Sequence, residues 1–294
     1  MEKLLTVYTP TYNREKLLGN VYQSLCEQTS KNFIWMIVDD GSTDNTKKLV
    51  EQWINENIIE IIYYLKKNGG VHTARDFAYD NAKTELILGV DSDDKLMKNA
   101  VENIESIWKN KGEKEYCGIL MPVISTKGIP IGSKFPNICS ATYQEFTYKY
   151  HFKGDKQTIL RTEIIREIQH APIFENENLV GETYKWIQLP EIPFLIVDKY
   201  CKEVCYREDG YSKNARKNWF KNLNGFRAEY KQHIQSARYI KPRIKGNIGY
   251  IMTSLFLHDH SFILKSPRIW ETIIFLPLGI MGYIYALIKW KKYM

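Results

Sequence analysis

Cysteine and histidine are sparse in this sequence, and neither forms a metal-binding pattern. The five cysteines are odd in number and scattered in spacing: Cys26, Cys117, Cys139, Cys201 and Cys205. Cys201 and Cys205 lie four residues apart, but neither a second pair nor a nearby histidine completes a zinc site. The "HDH" stretch at 258–260 also lacks a visible third ligand. These absences argue against a disulfide-stapled or zinc-stapled fold and favour free thiols in a reducing compartment.

The chain also lacks low-complexity tracts, internal repeats, and both common glycine-rich nucleotide patterns, GxGxxG and the P-loop. Its first ten residues, "MEKLLTVYTP", contain too short an apolar stretch for a signal peptide. We therefore expect the body of the chain, which precedes its last third, to stay in the cytoplasm. With 294 residues and 44% hydrophobic composition, it can form one large domain, or one domain and an appendage.

Acidic residues are scarce in the last third of the chain. Residues 199–294 hold 18 Lys and Arg but only six Asp and Glu, whereas residues 1–198 hold 23 and 28. A basic segment of this kind suits either nucleic acid or anionic lipid. Because no fold signature of a nucleic-acid-binding domain accompanies it, we expect an anionic membrane surface as the partner and no nucleic acid.

Strand-like and helix-like segments alternate strictly over the first 120 residues or so. Short apolar runs predict strands at 4–10, 33–40, 59–67, 85–90 and 116–124. Helical spacing of apolar residues predicts helices at 14–29, 43–57, 71–82 and 98–110. This order predicts an α/β fold with a mainly parallel central sheet and helices on both faces.

Polar clusters follow the first four predicted strands: "TPTYNRE", "DDGSTDNT", "KKNGG" and "DSDD". In parallel sheets, ligands bind beyond the carboxyl ends of the strands. The four clusters are therefore expected to meet at one edge and to form a binding site there. Four polar strand ends together are a stronger signal than any one of them.

Each cluster allows a binding role and an ordinary structural one. In "DSDD", Asp91 and Asp93 would point the same way and could share Mg²⁺ or Mn²⁺ with a diphosphate, or form an acidic cap for the next helix. "NGGVHTAR" offers backbone N–H groups and Arg75 to an anion, or is a plain loop. In "VDDGSTDNT", Asp40 suits hydrogen bonding to a base or ribose, or the segment is a capped turn in which Asp44 is a first-turn helix acid.

In this order, "TPTYNR", "VDDGSTDNT", "NGGVHTAR" and "DSDD" resemble the motifs of family-2 glycosyltransferases, which are inverting, nucleotide-sugar-dependent enzymes with the GT-A fold. The resemblance is strong over residues 3–125 and weak over 126–215. It implies a metal site at Asp93 with Asp94 beside it, the metal being Mg²⁺ or Mn²⁺ that bridges the donor phosphates. It implies that the following residues contact the nucleotide, Asp40 at the uracil and Asp91 near the ribose: Pro10, Thr11, Tyr12, Asn13, Asp40, Asn68, Arg75 and Asp91.

Inverting transfer also needs a carboxylate that takes the proton of the acceptor hydroxyl. The resemblance implies a Glu-Asp pair before a helix in the second half, and "FENENLVGETYKWIQL" at 174–189 has this look. Glu182 is the first candidate base, with Glu177 and Glu175 next, although Thr183 stands where the Asp of the pair often stands. As an alternative, Glu182 is only a first-turn helix acid. The segment 205–215 is either a lid over the donor or a surface loop.

The basic tail is expected to attach the chain to a membrane. Residues 216–245 are rich in Lys and Arg with interleaved aromatics, and the helical spacing of Phe220, Leu223, Phe226 and Tyr230 suggests an amphipathic helix with a basic face. The uncharged run at 272–288 would span about 25 Å, short of a hydrocarbon core of about 30 Å, and Pro277 should bend it. A monotopic or re-entrant anchor is therefore preferred to a true span or a soluble helical pair.

The sequence as a whole predicts a metal-dependent inverting glycosyltransferase, a hexosyl- or N-acetylhexosaminyl-transferase, at the cytoplasmic face of the cell membrane. The expected donor is a UDP-sugar, and the expected acceptor is a lipid-linked glycan of bacterial surface polysaccharide or capsule assembly. The predicted domains are a GT-A catalytic domain at 1–215, with a nucleotide half (1–125) and an acceptor half (126–215), and a tail at 216–294.

Two other functions remain compatible with this pattern. A nucleotidyltransferase uses a similar sheet and acidic metal site, but normally has a glycine-rich basic loop after the first strand, which "TPTYNRE" is not. A catalytically silent sugar-nucleotide or glycan-binding module would keep the sheet and lose the acids. Here Asp40, Asp91, Asp93 and Glu182 are all present.

Overall fold

The computed structural model describes residues 3–111, 115–206 and 214–290. The chain divides into two compact units. Residues 1–168 and 189–206 form the first, which we call the sheet unit, and residues 169–188 and 207–294 form the second, the helical unit. The predicted boundary at residue 215 does not anticipate that 169–188 belong to the helical unit, and the functional division into domains stays a prediction.

The sheet unit alternates strands and helices as the apolar pattern predicts. Its strands are β1 (Leu5–Thr11), β2 (Phe33–Asp39), β3 (Ile61–Leu65), β4 (Leu86–Gly89), β5 (Lys95–Leu96), β6 (Gly118–Ser125), β7 (Ser140–Ala141), β8 (Lys156–Arg161), β9 (Phe194–Ile196) and β10 (Lys202–Val204). Its helices are α1 (Leu18–Cys26), α2 (Thr46–Glu56), α3 (Val71–Asn81), α4 (Ala100–Lys111) and α5 (Thr162–Arg166), with a π-helical turn at Glu145–Lys149.

The strands form one mixed sheet in the order β3-β2-β1-β4-β8-β6-β10-β5, with β9 also on β6 and β7 on β9. The strands β1 to β4 are parallel to one another, and so are β6, β9 and β10. The mainly parallel GT-A-like sheet is thereby confirmed. The antiparallel β8, which the apolar pattern did not reveal, lies between β4 and β6.

Alternate residues of β1 face opposite layers of helices, as the two-residue period of a strand requires. Leu5 and Val7 belong to the core formed with α1, α2 and α4, whereas the hydroxyl of Tyr8 lies 2.8 Å from that of Tyr79 on α3. Pro10 fits in this central strand because its missing N–H falls on the β4 side, where pairing ends at Gly89. The polar ends of β1 to β4 therefore lie at one edge of a sheet that helices cover on both faces.

The helical unit contains α6 (Thr183–Trp186), α7 (Ala215–Lys221), α8 (Leu223–Ser236), α9 (Ile240–Phe256) and α10 (Ile269–Lys289). The amphipathic helix predicted from Phe220, Leu223, Phe226 and Tyr230 is interrupted after Phe220, because the chain leaves helical geometry at Asn222, with φ −134° and ψ 48°. The Asn222 side chain accepts a hydrogen bond from the N–H of Asn178 at 2.9 Å and donates one to the carbonyl of Asn218 at 2.8 Å. This bonding fixes the break between α7 and α8.

The helix α10 is longer than the uncharged run and continues through Pro277. Its 21 residues correspond to about 32 Å, with Glu271 and Lys289 flanking the uncharged run, so the preference for an anchor over a true span stays a prediction. A Cβ added at Gly279 would overlap Ile251 of α9, so the glycine permits close packing of the two helices. Among the described residues, α10 is the helix that is long and apolar enough to cross a membrane, and only 17% of its most apolar window is buried.

Candidate active site

The loops after β1 and β2 are tied together by side-chain to backbone hydrogen bonds. Asn13 adopts a left-handed φ of 53°. Its N–H donates to the hydroxyl of Ser42 at 2.8 Å, and its side-chain oxygen accepts from the N–H of Thr43 at 2.8 Å. The N–H of Asn45 donates to the Glu15 carboxylate at 2.7 Å. Asn13 thus holds the two loops in register, and its predicted contact with a nucleotide stays a prediction.

Asp40 joins the end of β2 to the loop after β3. Its buried carboxylate accepts hydrogen bonds from the N–H groups of Gly69 at 3.0 Å and Gly70 at 2.7 Å, and it pairs with the ammonium of Lys66. The side-chain amide of Asn68 donates to the carbonyl of Asp40 at 2.8 Å. Asp40 and Asn68, which were both predicted to contact the nucleotide, therefore hold the loop after β3 in place. A base that contacts Asp40 would have to share a carboxylate that already accepts three hydrogen bonds.

Asp39 and Asp44, the other two acids of this stretch, also serve the backbone. Asp39, which the sequence left unassigned, accepts from the N–H of Ser42 and from the hydroxyl of Tyr63, both at 2.7 Å. Asp44 lies two residues before α2 rather than in its first turn, and it accepts from the N–H of Thr46 at 3.0 Å. Burial opposes ionisation of Asp44. Hydrogen bonds from the hydroxyl and N–H groups of Thr46 and from the N–H of Glu15 outweigh burial and lower the pKa of Asp44.

At the end of β1, two neighbouring residues differ in what they offer to a ligand. Tyr12 is 48% exposed, so its aromatic ring is accessible. Thr11 is buried, and its hydroxyl has no hydrogen-bond partner within the part of the chain that the structure describes. A buried hydroxyl without a partner is costly. Thr11 therefore provides an unused polar group at the edge where the predicted nucleotide site lies.

The "DSDD" motif follows β4 at the same edge. The side chain of Asp91 is 52% exposed, and its carboxylate lies 3.4 Å from the guanidinium of Arg75 on α3. Desolvation raises the pKa of Asp91, but Arg75, then Lys202, and more weakly Arg14, outweigh it and hold that pKa below its usual value. The structure thus brings together Arg75 and Asp91, which the sequence assigned to the same ligand from different motifs.

Asp94 is bound differently from Asp91. It is buried, its carboxylate lies 2.7 Å from the ammonium of Lys202, and it accepts from the N–H of Cys205 at 3.0 Å. Burial raises the pKa of Asp94, and Lys202 opposes that shift. Asp94 therefore fastens β10 to the acidic turn, which leaves it a poorer metal ligand than the half-buried Asp93.

The residues present fit a divalent metal only with help from a ligand. Within residues 3–111, 115–206 and 214–290, no three Asp, Glu, His or Cys side chains converge as a metal site. Mg²⁺ is commonly held by one or two carboxylates together with substrate phosphates. Asp93, with the exposed Asp91 close in sequence, supplies hard oxygen donors of that kind beside Arg75. The donor set suits a metal that arrives with, or is completed by, a diphosphate.

The sequence did not indicate two lysines of the sheet unit that pair with predicted site residues. Lys66 holds Asp40, and Lys202 holds Asp94. Lys66 could have been found from its place at the end of the third predicted strand, beside the glycines. Lys202 carried no such signal, because its partner is far away in sequence and its strand, β10, has only three residues.

The family model described as "Glycosyl transferase family 2" matches residues 6–169, which include the whole polar edge. The chain belongs to this glycosyltransferase family. The chain is similar to the putative teichuronic acid biosynthesis glycosyltransferase TuaG of Bacillus subtilis, with 36% identity over 101 residues, covering 34% of this chain and 39% of TuaG. It is also similar, at 23% identity over 229 residues, to a Campylobacter jejuni GalNAc(5)-diNAcBac-PP-undecaprenol beta-1,3-glucosyltransferase, covering 76% of this chain and 71% of that one.

Solved structures share the fold of this family 2 chain. A crystal structure of Staphylococcus aureus TarS residues 1–349 in complex with UDP-GlcNAc has a TM-score of 0.64 at 19% identity, covering 95% of this chain and 81% of that one. A Pyrobaculum calidifontis mannosyltransferase in complex with GDP-Man and Mn²⁺ has a TM-score of 0.53 at 15% identity, covering 100% and 82%. At such identities the likeness shows the GT-A fold alone. The chain matches 39% of TuaG, well under two thirds of its length.

The candidate base of this family 2 chain lies in the helical unit. Glu182 is exposed and occupies the N-cap position of α6, a helix of four residues. Glu177 is engaged elsewhere, because its carboxylate accepts from the N–H groups of Asn224 at 2.9 Å and Gly225 at 2.7 Å at the start of α8. Glu175 is exposed. Of the predicted lid at 205–215, residues 207–213 lie outside the described residues.

Proposed function

We propose that this chain is a metal-dependent inverting glycosyltransferase that moves a sugar from a UDP-sugar to a hydroxyl group of a lipid-linked glycan. The observation that carries the proposal is the meeting of Arg75 and Asp91, 3.4 Å apart, at the polar edge of the parallel sheet. Membership of family 2 supports the reaction class. The complex of TarS with UDP-GlcNAc supports a UDP-sugar, including an N-acetylhexosamine, as the donor.

In this proposal the sheet unit binds the donor. Tyr12 contacts the nucleotide through its exposed ring, and the buried hydroxyl of Thr11 gains the hydrogen-bond partner that it lacks among the described residues. Asp40 and Asn68 shape the loop against which the nucleobase of the donor lies. Asp91 approaches the ribose, and Arg75 balances its charge while facing the phosphates.

Asp93 would hold Mg²⁺ or Mn²⁺, with Asp94 beside it kept in place by Lys202. When bound, the metal would neutralise charge that develops on the departing diphosphate. The Pyrobaculum mannosyltransferase with GDP-Man and Mn²⁺ supports a divalent metal in this fold. Our proposal does not depend on which of the two metals is used.

Glu182 acts as the general base. Inversion by a single displacement requires that the acceptor oxygen attack the sugar carbon as the bond to the diphosphate breaks. The proton of the acceptor hydroxyl then passes to the Glu182 carboxylate. Glu182 suits this role better than Glu177, because it is exposed and is not used to cap α8.

The acceptor is proposed from the character of α10. Its solvent-facing side is apolar and includes Ile274, Met281 and Ile288, each more than 60% exposed. The helix precedes the lysine-rich end of the chain. Such a face is suited to lipid, and lysines favour the cytoplasmic side. The named substrate of the Campylobacter relative is undecaprenol-linked, which supports a lipid-linked acceptor met at the cytoplasmic leaflet.

Donor binding is tested by thermal shift with UDP- and dTDP-sugars in the presence of Mn²⁺. A ligand at about 100 times its Kd stabilises the folded state by about 2.7 kcal/mol, so the melting temperature should rise with one UDP-sugar. Arg75→Met should abolish the shift. No shift with any UDP- or dTDP-sugar would overturn the proposed function.

The base is tested with Glu182→Gln. We expect transfer to fall by at least about 100-fold, because a positioned base contributes roughly that much, while the UDP-sugar thermal shift is unchanged. Glu175→Gln is the matched control, an exposed glutamate of the same segment, and should retain transfer. Near-normal turnover by Glu182→Gln would refute its assignment as the base.

Membrane attachment is tested by co-flotation with vesicles that contain anionic lipid. Met281→Glu places a charge on the exposed face of α10 and should reduce flotation without loss of folding. The matched control is Glu203→Gln, in β10 of the sheet unit, which should float as the unaltered chain does. A chain that stays in solution without detergent and does not float would contradict the membrane proposal.

A further inference from the structure

Glu229 of α8 holds the backbone on both sides of Glu182. The hydroxyl of Thr183 is hydrogen-bonded to the Glu229 carboxyl group. A Cβ atom at Gly181 would overlap the same carboxyl group, so the carboxyl group packs directly against residue 181. Residues 181 and 183 therefore enclose one carboxyl group, and Glu182 stands between them. A change at Glu229 would be transmitted directly to the backbone that carries Glu182.

A histidine completes the cluster. Nε2 of His233, one turn after Glu229 on α8, lies 2.9 Å from the hydroxyl of Thr183. Burial, with a contribution from Lys245, lowers the pKa of His233 to about 4, so its ring is neutral at neutral pH. Thr183 thus bridges a carboxyl group and a neutral imidazole through one hydroxyl group.

A single hydroxyl proton gives this bridge two arrangements. When Glu229 is ionised, the Thr183 hydroxyl donates to the carboxylate and accepts from His233 Nε2–H. When Glu229 is protonated, its carboxyl group donates to the Thr183 oxygen, and Thr183 donates to the Nε2 lone pair of the His233 tautomer that carries its proton on Nδ1. The bonding around residues 181–183 therefore depends on the protonation state of Glu229.

The charged groups near Glu229 oppose one another. Burial raises the pKa of Glu229, and the negative charge of Glu182 adds to that shift. The hydrogen bond from Thr183 and the positive charge of Lys245 on α9 act the other way. Tyr230, next to Glu229 on α8, has a pKa raised to about 12 by burial and by Glu229, so it stays neutral. The pKa of Glu229 is thus raised above the usual range of a glutamate, mainly by burial.

We propose that Glu229 is a positioning residue for transfer: through Thr183 and Gly181 it sets the orientation of the Glu182 carboxylate. The inference rests on the proposed function, in which Glu182 is the base. It assigns a role to a residue more than 40 positions away in sequence, which no motif of the sequence indicated. It also gives Thr183 a purpose, as the link between Glu182 and a carboxyl group supplied by α8.

Glu229→Gln tests the proposal, because glutamine keeps the size of Glu229 but cannot ionise, so the arrangement in which Thr183 donates to a charged carboxylate is lost. We expect kcat to fall about tenfold, less than for loss of the base, with little change in the KM for the donor. In the unaltered chain the pH–rate profile should include a limb from Glu229 above the usual glutamate range. This limb should be absent from Glu229→Gln, an effect that a merely structural role would not produce.

Thr183→Val and Thr183→Ser form a second pair of variants, in case Glu229→Gln folds poorly. Valine removes the hydroxyl at similar size and should reproduce the loss in kcat, whereas serine keeps the hydroxyl and should preserve transfer. Gln235→Ala, at an exposed position on α8, should leave both kcat and the pH profile unchanged. Transfer that is lost in Glu182→Gln but unchanged in Glu229→Gln and Thr183→Val would overturn this inference alone. Absence of transfer by the unaltered chain would overturn the proposed function as well.

Discussion

Two exposed carboxylates, Asp91 in the sheet unit and Glu182 in the helical unit, each lie near a second carboxyl group that is held in a different way. Asp94, near Asp91, meets the ammonium of Lys202 at 2.7 Å and the N–H of Cys205. Glu229, near Glu182, meets the hydroxyl of Thr183. A close cation fixes a charge in place, whereas a neutral hydroxyl can bond either protonation state. Asp94 is therefore suited to holding the structure together, and Glu229 is suited to changing its protonation state.

The largest effect is expected from breaking the pair in the sheet unit. Asp94→Asn would remove the carboxylate that lies 2.7 Å from the ammonium of Lys202, whose side chain is only 12% exposed. Removal of one partner of a buried ion pair costs about 3–5 kcal/mol, so the free energy of unfolding in urea should fall by roughly that amount. Because the double variant removes the buried ammonium together with its carboxylate partner, Asp94→Asn with Lys202→Met should recover much of the loss. Unchanged stability of Asp94→Asn would show that the pair does not hold β10.

A smaller effect, with a distinctive pH dependence, is expected from Glu229→Gln. Since folding raises the pKa of Glu229, the folded state holds this proton more tightly than the unfolded state does. The stabilising contribution is therefore complete below the unfolded-state pKa and is lost as pH rises through the folded-state pKa. The stability of Glu229→Gln relative to the unaltered chain should increase over that pH interval, as measured by urea unfolding at a series of pH values. A difference that does not vary with pH would mean that Glu229 does not titrate there.

The local sequence predicted the first strands and the polar edge of the sheet, but not the position of β8. The runs that became β1, β2 and β4 are apolar and buried almost throughout, and their local pattern predicted them closely, whereas β3 at the edge of the sheet is only partly buried. The polar edge followed from strand polarity alone, and Arg75 and Asp91 do meet there. In contrast, β8 enters between β4 and β6 from a segment far along the chain, and such long-range pairing leaves no mark in local periodicity.

The same reason explains the roles that were missed at the site. The motifs identified Asp40 and Asn68 as site residues. They did not show that the N–H of Gly70 and the ammonium of Lys66 already bond to the Asp40 carboxylate. Lys202 and Glu229 act on residues more than 40 positions away, so only the folded chain brings them to Asp94 and Thr183. The break at Asn222 likewise depends on a hydrogen bond from Asn178. Local sequence predicts which groups reach an edge, and tertiary contacts decide which of them remain available.

The smallest change in stability is expected for Asp91→Asn, which sharpens the contrast with Glu229. Asp91 is half exposed, so its ion pair with Arg75 should contribute only a few tenths of a kcal/mol. Desolvation opposes ionisation, but Arg75 and Lys202 lower the pKa of Asp91 overall. Its contribution is therefore present above the unfolded-state pKa and is lost as pH falls through the folded-state pKa, the opposite sign to Glu229.

Although stability should barely change, Asp91→Asn should weaken UDP-sugar binding markedly, because Asp91 lies at the proposed ribose contact and orders Arg75. Titration calorimetry with the UDP-sugar found by thermal shift measures this, with Asp80→Asn, an exposed acid near the other end of α3, as the control. If both variants bind the donor equally well, Asp91 is no part of the donor site. If Asp91→Asn alone loses binding at unchanged stability, the exposed carboxylate serves the ligand, while the buried Asp94 serves the fold.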